Sequence, residues 1–253
     1  MEILKGWVRS FVLITTFFTR IPLPVSFAVK EEEFHRGIYF MPLIGGIIGL
    51  LLWGAGEALS RFSPMLRGVL MWLYYLIITG GLHMDGLADL ADGIFSNRQG
   101  EELRAIIKDS RIGVFAGLSL ISAALLSVAL FSEISGKALL LGPLWSRSCA
   151  LLIMGYGVYP NGENGLGKGF VEKVKARDGW VGILFAAAIT FIYFDTALLL
   201  FFLPILLLSL WMPRWMKKRL GGVTGDGVGF SIEVFQCLAY FTAYIYYQGL
   251  YIQ

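Results

Sequence analysis

Charged residues are scarce in this chain. Asp, Glu, Lys and Arg make up 15% of the 253 residues, while hydrophobic residues reach 57%. A soluble domain carries about 25% charged residues, so the deficit excludes a surface that mostly faces water. Net charge is only +3, too little to argue for nucleic acid as a partner. Cysteine is nearly absent. Cys149 and Cys237 lie far apart inside apolar runs, without metal-ligand spacing. That excludes a disulfide framework and leaves both as packing residues. Internal repeats and low-complexity tracts are lacking, so one membrane-embedded domain over 1–253 is expected. No small-residue cleavage site follows the apolar stretch after Lys5 and Arg9, so no cleaved signal peptide is expected.

Long apolar runs are plentiful. A membrane-spanning helix needs about 20 mostly apolar residues. Seven segments qualify or come close: 37–59, 66–82, 112–132, 137–158, 179–194, 196–212 and 230–251. The fifth and sixth meet at Asp195 and Thr196 and predict a tight hairpin. The stretch 7–19 is short, carries Arg9 and runs into Pro22 and Pro24, which predicts an interfacial or re-entrant helix. The fold class expected is therefore all-α: a polytopic integral membrane protein with about seven transmembrane helices plus an interfacial N-terminal helix.

Lys and Arg set the orientation. With residues 1–36 inside, the segments 83–111, 159–178 and 213–229 are inside too, and these hold 17 of the 21 basic residues. Arg61, Arg67 and Lys137 fall outside, and Arg147 lies within a span. The positive-inside rule then places the N-terminus and these segments in the cytoplasm. Arg147 is expected to face the bundle interior and meet a carboxylate, Glu57 or Glu233.

Three polar clusters share that inside face. In Thr79–Gly93 the aspartates Asp85, Asp89 and Asp92 stand at i, i+4 and i+7, within about 60° of one another around a helix. Carboxylates so crowded repel and call for a cation, and Mg²⁺ prefers such oxygens. Exposed aspartates at a helix start are the plainer reading of any one of them. Gly80, Gly81, Gly86 and Gly93 accompany the stripe and would let backbone approach a ligand. The second cluster is Lys108-Asp109-Ser110-Arg111, where Lys108 and Arg111 suit a diphosphate, or simply anchor the third span. The third is the glycine-rich run 221–229, with Thr224, Gly225 and Asp226, followed by Glu233. Such a loop can bind phosphate through N–H groups, or merely start a helix with Thr224 or Asp226 as its cap. His83 is a candidate base, although capping or a backbone hydrogen bond is its commoner use.

TGGLHMDGLADLADG at 79–93, KDSRIG at 108–113 and GGVTGDGVG at 221–229 resemble the cobalamin synthase family, the adenosylcobinamide-GDP ribazoletransferases. FFTRIPLP at 17–24 and the stretch from Arg36 to Pro42 are similar as well. Leu90, Val228 and Phe230 depart from the family pattern, and none of them is a candidate ligand. The resemblance implies a transferase of the cell inner membrane, multi-pass, with its active site facing the cytoplasm. Its implied substrates are adenosylcobinamide-GDP and α-ribazole or α-ribazole 5′-phosphate, and its products adenosylcobalamin or its 5′-phosphate and GMP. Mg²⁺ is the implied cofactor, with Asp85, Asp89, Asp92 and Asp226 as ligands. Asp85, Asp89, Asp92 and His83 are the expected catalytic residues. Lys108, Asp109, Arg111, Arg20, Arg36, Thr224, Gly225 and Asp226 are expected to bind substrate. The partners expected are these small molecules and the lipid bilayer, with homo-oligomers left open. Two other readings share the same carboxylates. Asp89-x-x-Asp92-Gly93 matches part of the CDP-alcohol phosphotransferase motif, and a cation or corrinoid transporter could use the same stripe.

Overall fold

The computed structural model describes residues 2–109 and 111–251, and every regular element within them is helical. The chain runs through α1 (Glu2–Phe18), α2 (Glu31–Arg36), α3 (Met41–Ala58), α4 (Pro64–Thr79), α5 (Leu82–Phe95), α6 (Gly100–Ile107), α7 (Val114–Glu133), α8 (Leu141–Tyr156), α9 (Leu166–Lys173), α10 (Ala176–Tyr193), α11 (Thr196–Phe201), α12 (Leu203–Leu220) and α13 (Gly225–Tyr251). Six stretches among the described residues are long and apolar enough to cross a membrane, and α4 with α5 makes a seventh only as a bent pair. The chain is a multi-pass membrane protein. Met1, Ser110, Ile252 and Gln253 lie outside the described residues.

Helix α8 is the axis of the bundle. The span Gly136–Tyr156 is almost wholly buried, and α3, α10, α12 and α13 pack around it. A helix buried all round reads as apolar all round, yet α8 carries Arg147, which is 2% exposed. Its guanidinium donates to Gln236 Oε1, to Ser146 Oγ at 3.0 Å and to the Tyr75 hydroxyl at 3.2 Å. Tyr75 in turn donates to Glu233 Oε1 at 2.7 Å. The expected meeting of Arg147 with Glu233 thus runs through a tyrosine. Glu57 is instead the acceptor of Trp53 Nε1 at 3.0 Å.

Span boundaries moved where proline and glycine act differently in a bundle than in isolation. The sixth predicted span stops before Pro213, whereas α12 continues through it to Leu220. Proline is tolerated in membrane helices because neighbouring groups re-satisfy the freed backbone. Lys217, Lys218 and Arg219 therefore occupy the last turn of α12, where the helix dipole favours cations. The glycine-rich run 221–229 is likewise not all loop. Helix α13 begins at Gly225, and Thr224 Oγ1 accepts the Gly227 N–H at 3.1 Å, so the capping alternative holds for Thr224.

Between α4 and α5, Gly80 (φ 65°) and Gly81 (φ 64°) are both left-handed, a conformation glycine adopts without steric cost. They turn the chain by 98°. Helix α5 thereby leaves the second span and crosses its end. Gly80 and Gly81 make the turn, and Gly86 and Gly93 allow close packing, where an added Cβ would lie 2.7 Å from Asp226 and 2.6 Å from Ile107. Helix α1, with 17 residues, is not among the helices long and apolar enough to cross a membrane, in keeping with the interfacial expectation. It buries Leu13, Ile14 and Phe18 and exposes Ile3, Leu4 and Val8.

Candidate functional site

Helix α5 is built to present carboxylates. Leu87, Leu90 and Ala91 are buried, while Asp85 is exposed and Asp89 and Asp92 are partly so. Gly86 fixes what stands opposite. A Cβ there would lie 2.7 Å from the Asp226 carbonyl oxygen and 3.0 Å from its Cα. Only glycine lets the first turn of α13 come this close, and the approach puts Asp226 beside the stripe. Asp89 shows the consequence. Burial first, then the charges of Asp85, Asp226 and Asp92, push its carboxyl up to about 6. No Lys or Arg among the described residues pairs with Asp85, Asp89 or Asp226.

Asp92 has a second occupation. Its Oδ2 accepts the Gly113 N–H at 2.6 Å and its Oδ1 the Ala116 N–H at 2.8 Å. It caps the start of α7 across the sequence, where a carboxylate suits the helix dipole. A Cβ on Gly113 would collide with that carboxylate at 2.6 Å, which explains the glycine ending the Lys108–Gly113 motif.

The basic cluster faces the stripe. Lys108 Nζ stands 3.7 Å and Arg104 Nε 3.8 Å from Glu163 Oε1, too far for hydrogen bonds. Arg111 is folded back onto Asp109 through a bidentate pair, with Nη2 to Oδ2 at 2.6 Å. That pair is exposed, and the guanidinium holds the Asp109 carboxyl down at about 2. Arg20 and Arg36 are not brought to the stripe. Arg20 packs over the Gly80 turn, with its backbone N–H donating to Ile78 O at 2.7 Å. Arg36 donates to Ser10 Oγ at 3.1 Å and lies 4.9 Å over the Trp7 ring, tying α2 to α1.

Three adjoining cavities meet here. One of 450 Å³ has Asp85, Asp89, Asp92, Lys108, Asp109 and Arg111 in its wall. One of 320 Å³ has Arg104, Lys108, Tyr159, Glu163, Asn164 and Thr224. One of 180 Å³ has Phe17, Phe18, Phe170, His83 and Asp85. Asp226 lines all three. His83 is 5% exposed, and neither ring nitrogen has a hydrogen-bond partner among the described residues. The capping or backbone bond expected of it does not form. Its Nδ1 lies 3.8 Å from Glu233 Oε1, which links the cavity wall to the buried Arg147 network.

The segment 159–169 supplies Tyr159, Glu163, Asn164, Leu166 and Gly167 to these cavities, and sequence reasoning passed it over as a plain inside loop. The available signal was its glycine spacing, Gly162, Gly165, Gly167 and Gly169, since recurrent glycine marks close backbone approach. A Cβ on Gly167 would lie 2.9 Å from Gly225. Arg104 was likewise missed, because a lone arginine on an amphipathic helix carries no local signature.

Among the described residues no three His, Cys, Asp or Glu side chains are grouped so that they could hold a metal ion by themselves. The donor chemistry nevertheless fits Mg²⁺. The three uncompensated carboxylates offer hard oxygen, and Mg²⁺ is commonly held by one or two carboxylates together with substrate phosphates rather than by an all-protein cage.

Fold and cleft define a class: a helical multi-pass membrane protein with an acidic stripe, a cationic rim and an apolar pocket meeting at one end of the bundle. The chain belongs to the cobalamin-5-phosphate synthase (CobS) family, whose pattern matches residues 10–244. It is 35% identical over 241 residues to the adenosylcobinamide-GDP ribazoletransferase of Alkaliphilus oremlandii, covering 94% of this chain and 97% of that one. The protein of the same name from Acetivibrio thermocellus is 35% identical over 95% of this chain and 99% of its own. That of Pseudomonas aeruginosa is 34% identical over 90% and 95%. No solved structure matches the chain.

Proposed function

We propose that this chain joins adenosylcobinamide-GDP to α-ribazole or its 5′-phosphate, forming adenosylcobalamin or its 5′-phosphate and releasing GMP. Family membership and the shared name of the relatives support the reaction, and they favour it over a lipid phosphotransferase or a transporter. The observation that carries the reading is the convergence of an acidic, a cationic and an apolar cavity on Asp226. A two-substrate phosphoryl transfer needs charge compensation, phosphate anchors and an acceptor pocket around one phosphorus.

In this reading a ribose hydroxyl attacks the phosphorus attached to cobinamide, and the bond to the GMP oxygen breaks. A 5′-phosphate on the acceptor is kept in the product, so the attacking hydroxyl is not the 5′ one. One or two of the carboxylates of Asp85, Asp89 and Asp226 would hold Mg²⁺, which would supply charge neutralisation for the transferring phosphoryl group. Lys108 and Arg104 already converge on the carboxylate of Glu163, and a diphosphate oxygen competes for the same place. Arg111 joins them by leaving its exposed pair with Asp109, and its planar fork suits two phosphate oxygens. Asp92, occupied at the start of α7, holds α5 and α7 in register.

The cleft faces the cytoplasm in this proposal, supported by the gathering of 17 of 21 basic residues on its side of the bundle. Purified protein in detergent, given both substrates and Mg²⁺, is expected to release GMP in step with corrinoid product. Absence of turnover with both nucleoside forms overturns the reaction. Orientation is tested separately with Gln99→Cys in a background lacking Cys149 and Cys237. The cysteine should resist membrane-impermeant reagent in intact cells and react after lysis, and ready labelling of intact cells reverses the topology.

A further inference from the structure

Helix α8 ends beside the cleft, where Val158 O accepts the Val223 N–H at 2.8 Å, and it begins shortly after Lys137. Lys137 therefore marks the opposite end of the bundle. From there an open groove of 330 Å³ runs between α3, α8 and α10. We infer that this groove seats one phospholipid, with an acyl chain laid along the helices and an anionic headgroup on Lys137.

Shape is the first observation. The α3 wall of the groove runs from Leu43 to Trp53, a rise of about 15 Å. That is the depth of one leaflet in a hydrocarbon core about 30 Å thick. Gly46 lies in this wall, and a Cβ built on it meets nothing within 4 Å. The missing side chain therefore answers no close contact within the protein, and it leaves a slot. Leu50, Phe185, Ile189 and Tyr193 stand around it as large apolar walls. Helices that pair in membranes meet through several small residues, which let their backbones approach. One glycine among bulky neighbours instead suits a thin, flexible chain.

Charge is the second observation. Lys137 is exposed, donates to Tyr193 O and lies 5.2 Å from the centroid of the Phe194 ring. An ammonium carries three donors, and that carbonyl takes one. No carboxylate among the described residues forms an ion pair with Lys137. Glu57, at the same end of α3, accepts from Trp53 Nε1 at 3.0 Å instead. A cation among Trp53, Tyr193 and Phe194 has the make-up of a membrane interface, where a basic residue attracts anionic lipid. A phosphate oxygen supplies the acceptor that Lys137 lacks, while the acyl chain covers the apolar wall below it.

Two substitutions, both remote from the cleft, separate chain from headgroup. Gly46→Leu fills the slot from its open side, where an added Cβ meets nothing, so folding is preserved. Lys137→Met keeps the length of the side chain and removes its charge. Protein purified in detergent is titrated with phosphatidylglycerol or phosphatidylcholine, and bound lipid is counted by native mass spectrometry. Wild type is expected to hold one phosphatidylglycerol about fivefold more tightly than phosphatidylcholine. Lys137→Met should bring the two affinities together, and Gly46→Leu should weaken both at least fivefold. Phosphatidylglycerol should also raise the Tm of wild type, as a ligand of the folded state does, and leave that of Gly46→Leu unchanged. Equal affinity of wild type for the two lipids, or undiminished binding by Gly46→Leu, overturns the site and leaves annular lipid only. A wild-type dimer that Gly46→Leu splits also overturns it, and makes the groove an interface between copies of this chain. None of these measurements involves turnover, so the outcome is independent of the reaction proposed above.

Discussion

Polar groups occur in two places in this bundle, and they are treated in opposite ways. Around Arg147, deep among α4, α8 and α13, the guanidinium, Tyr75, Gln236, Ser146 and Glu233 satisfy one another through a continuous set of hydrogen bonds. At the end of the bundle no Lys or Arg among the described residues pairs with Asp85, Asp89 or Asp226, and neither ring nitrogen of the nearby His83 has a hydrogen-bond partner among them. A buried charge that is paired holds helices in place, whereas one left unpaired costs stability unless a ligand completes it. The first set ties helices together, and the second is where the proposed function assigns the ligands, although both are polar residues in an apolar chain.

That contrast is most sharply tested where it predicts the largest effect. Arg147→Met should leave Glu233 uncompensated and destabilise the protein by about 3–5 kcal/mol. The measure is thermal unfolding in detergent, and molecules that stay folded should keep near-normal KM values. Loss of activity at full thermal stability would move Arg147 into the catalytic group. Asp89→Asn should do the reverse. Turnover is expected to fall about 10²–10³-fold, the size associated with losing a transition-state charge stabiliser, while folded yield stays near wild type. Near-normal turnover at limiting Mg²⁺ would place the cation elsewhere.

A smaller effect follows from acidity. Burial and the neighbouring carboxylates push the Asp89 carboxyl up to about 6, whereas an unfolded aspartate titrates near pH 4. Folding therefore takes up a proton in that window. The resulting stabilisation is full below about pH 4 and disappears as pH rises through about 6. In EDTA, the thermal stability of wild type relative to Asp89→Asn should decline across that range, and Mg²⁺ added at neutral pH should restore it. Because proton and cation compete, apparent Mg²⁺ affinity should weaken as pH falls below 6. A flat response in both measurements would remove Asp89 from the cation site. The smallest effect is expected at Thr224, whose hydroxyl caps α13. Thr224→Val should cost about 1 kcal/mol of stability with unchanged kinetic constants, and a selective rise in one KM would give the hydroxyl a role in binding substrate.

Much of this was legible from residue order. Apolar runs of bilayer length predicted the spans, because a backbone in lipid must satisfy its own hydrogen bonds within a helix. The spacing of Asp85, Asp89 and Asp92 predicted a shared face, because helical periodicity is local. Neither argument depends on what lies opposite. Where the expectation was Glu57 or Glu233 beside Arg147, the structure interposed Tyr75, which donates to Glu233 and accepts from Arg147. Arg20 and Arg36, read as phosphate ligands from their place in matching motifs, are positioned over the Gly80 turn and beside α1.

The sequence by itself determined an all-helical membrane bundle with its carboxylates on one stripe, since composition and periodicity act within a single helix. Only the tertiary structure decided which groups complete that stripe. Gly86 admits Asp226 to it, Gly113 draws Asp92 away to α7, and Gly167 brings the 159–169 segment against Gly225. Each of these depends on two backbones meeting where a side chain is missing, and a missing side chain names no partner until the helices have packed.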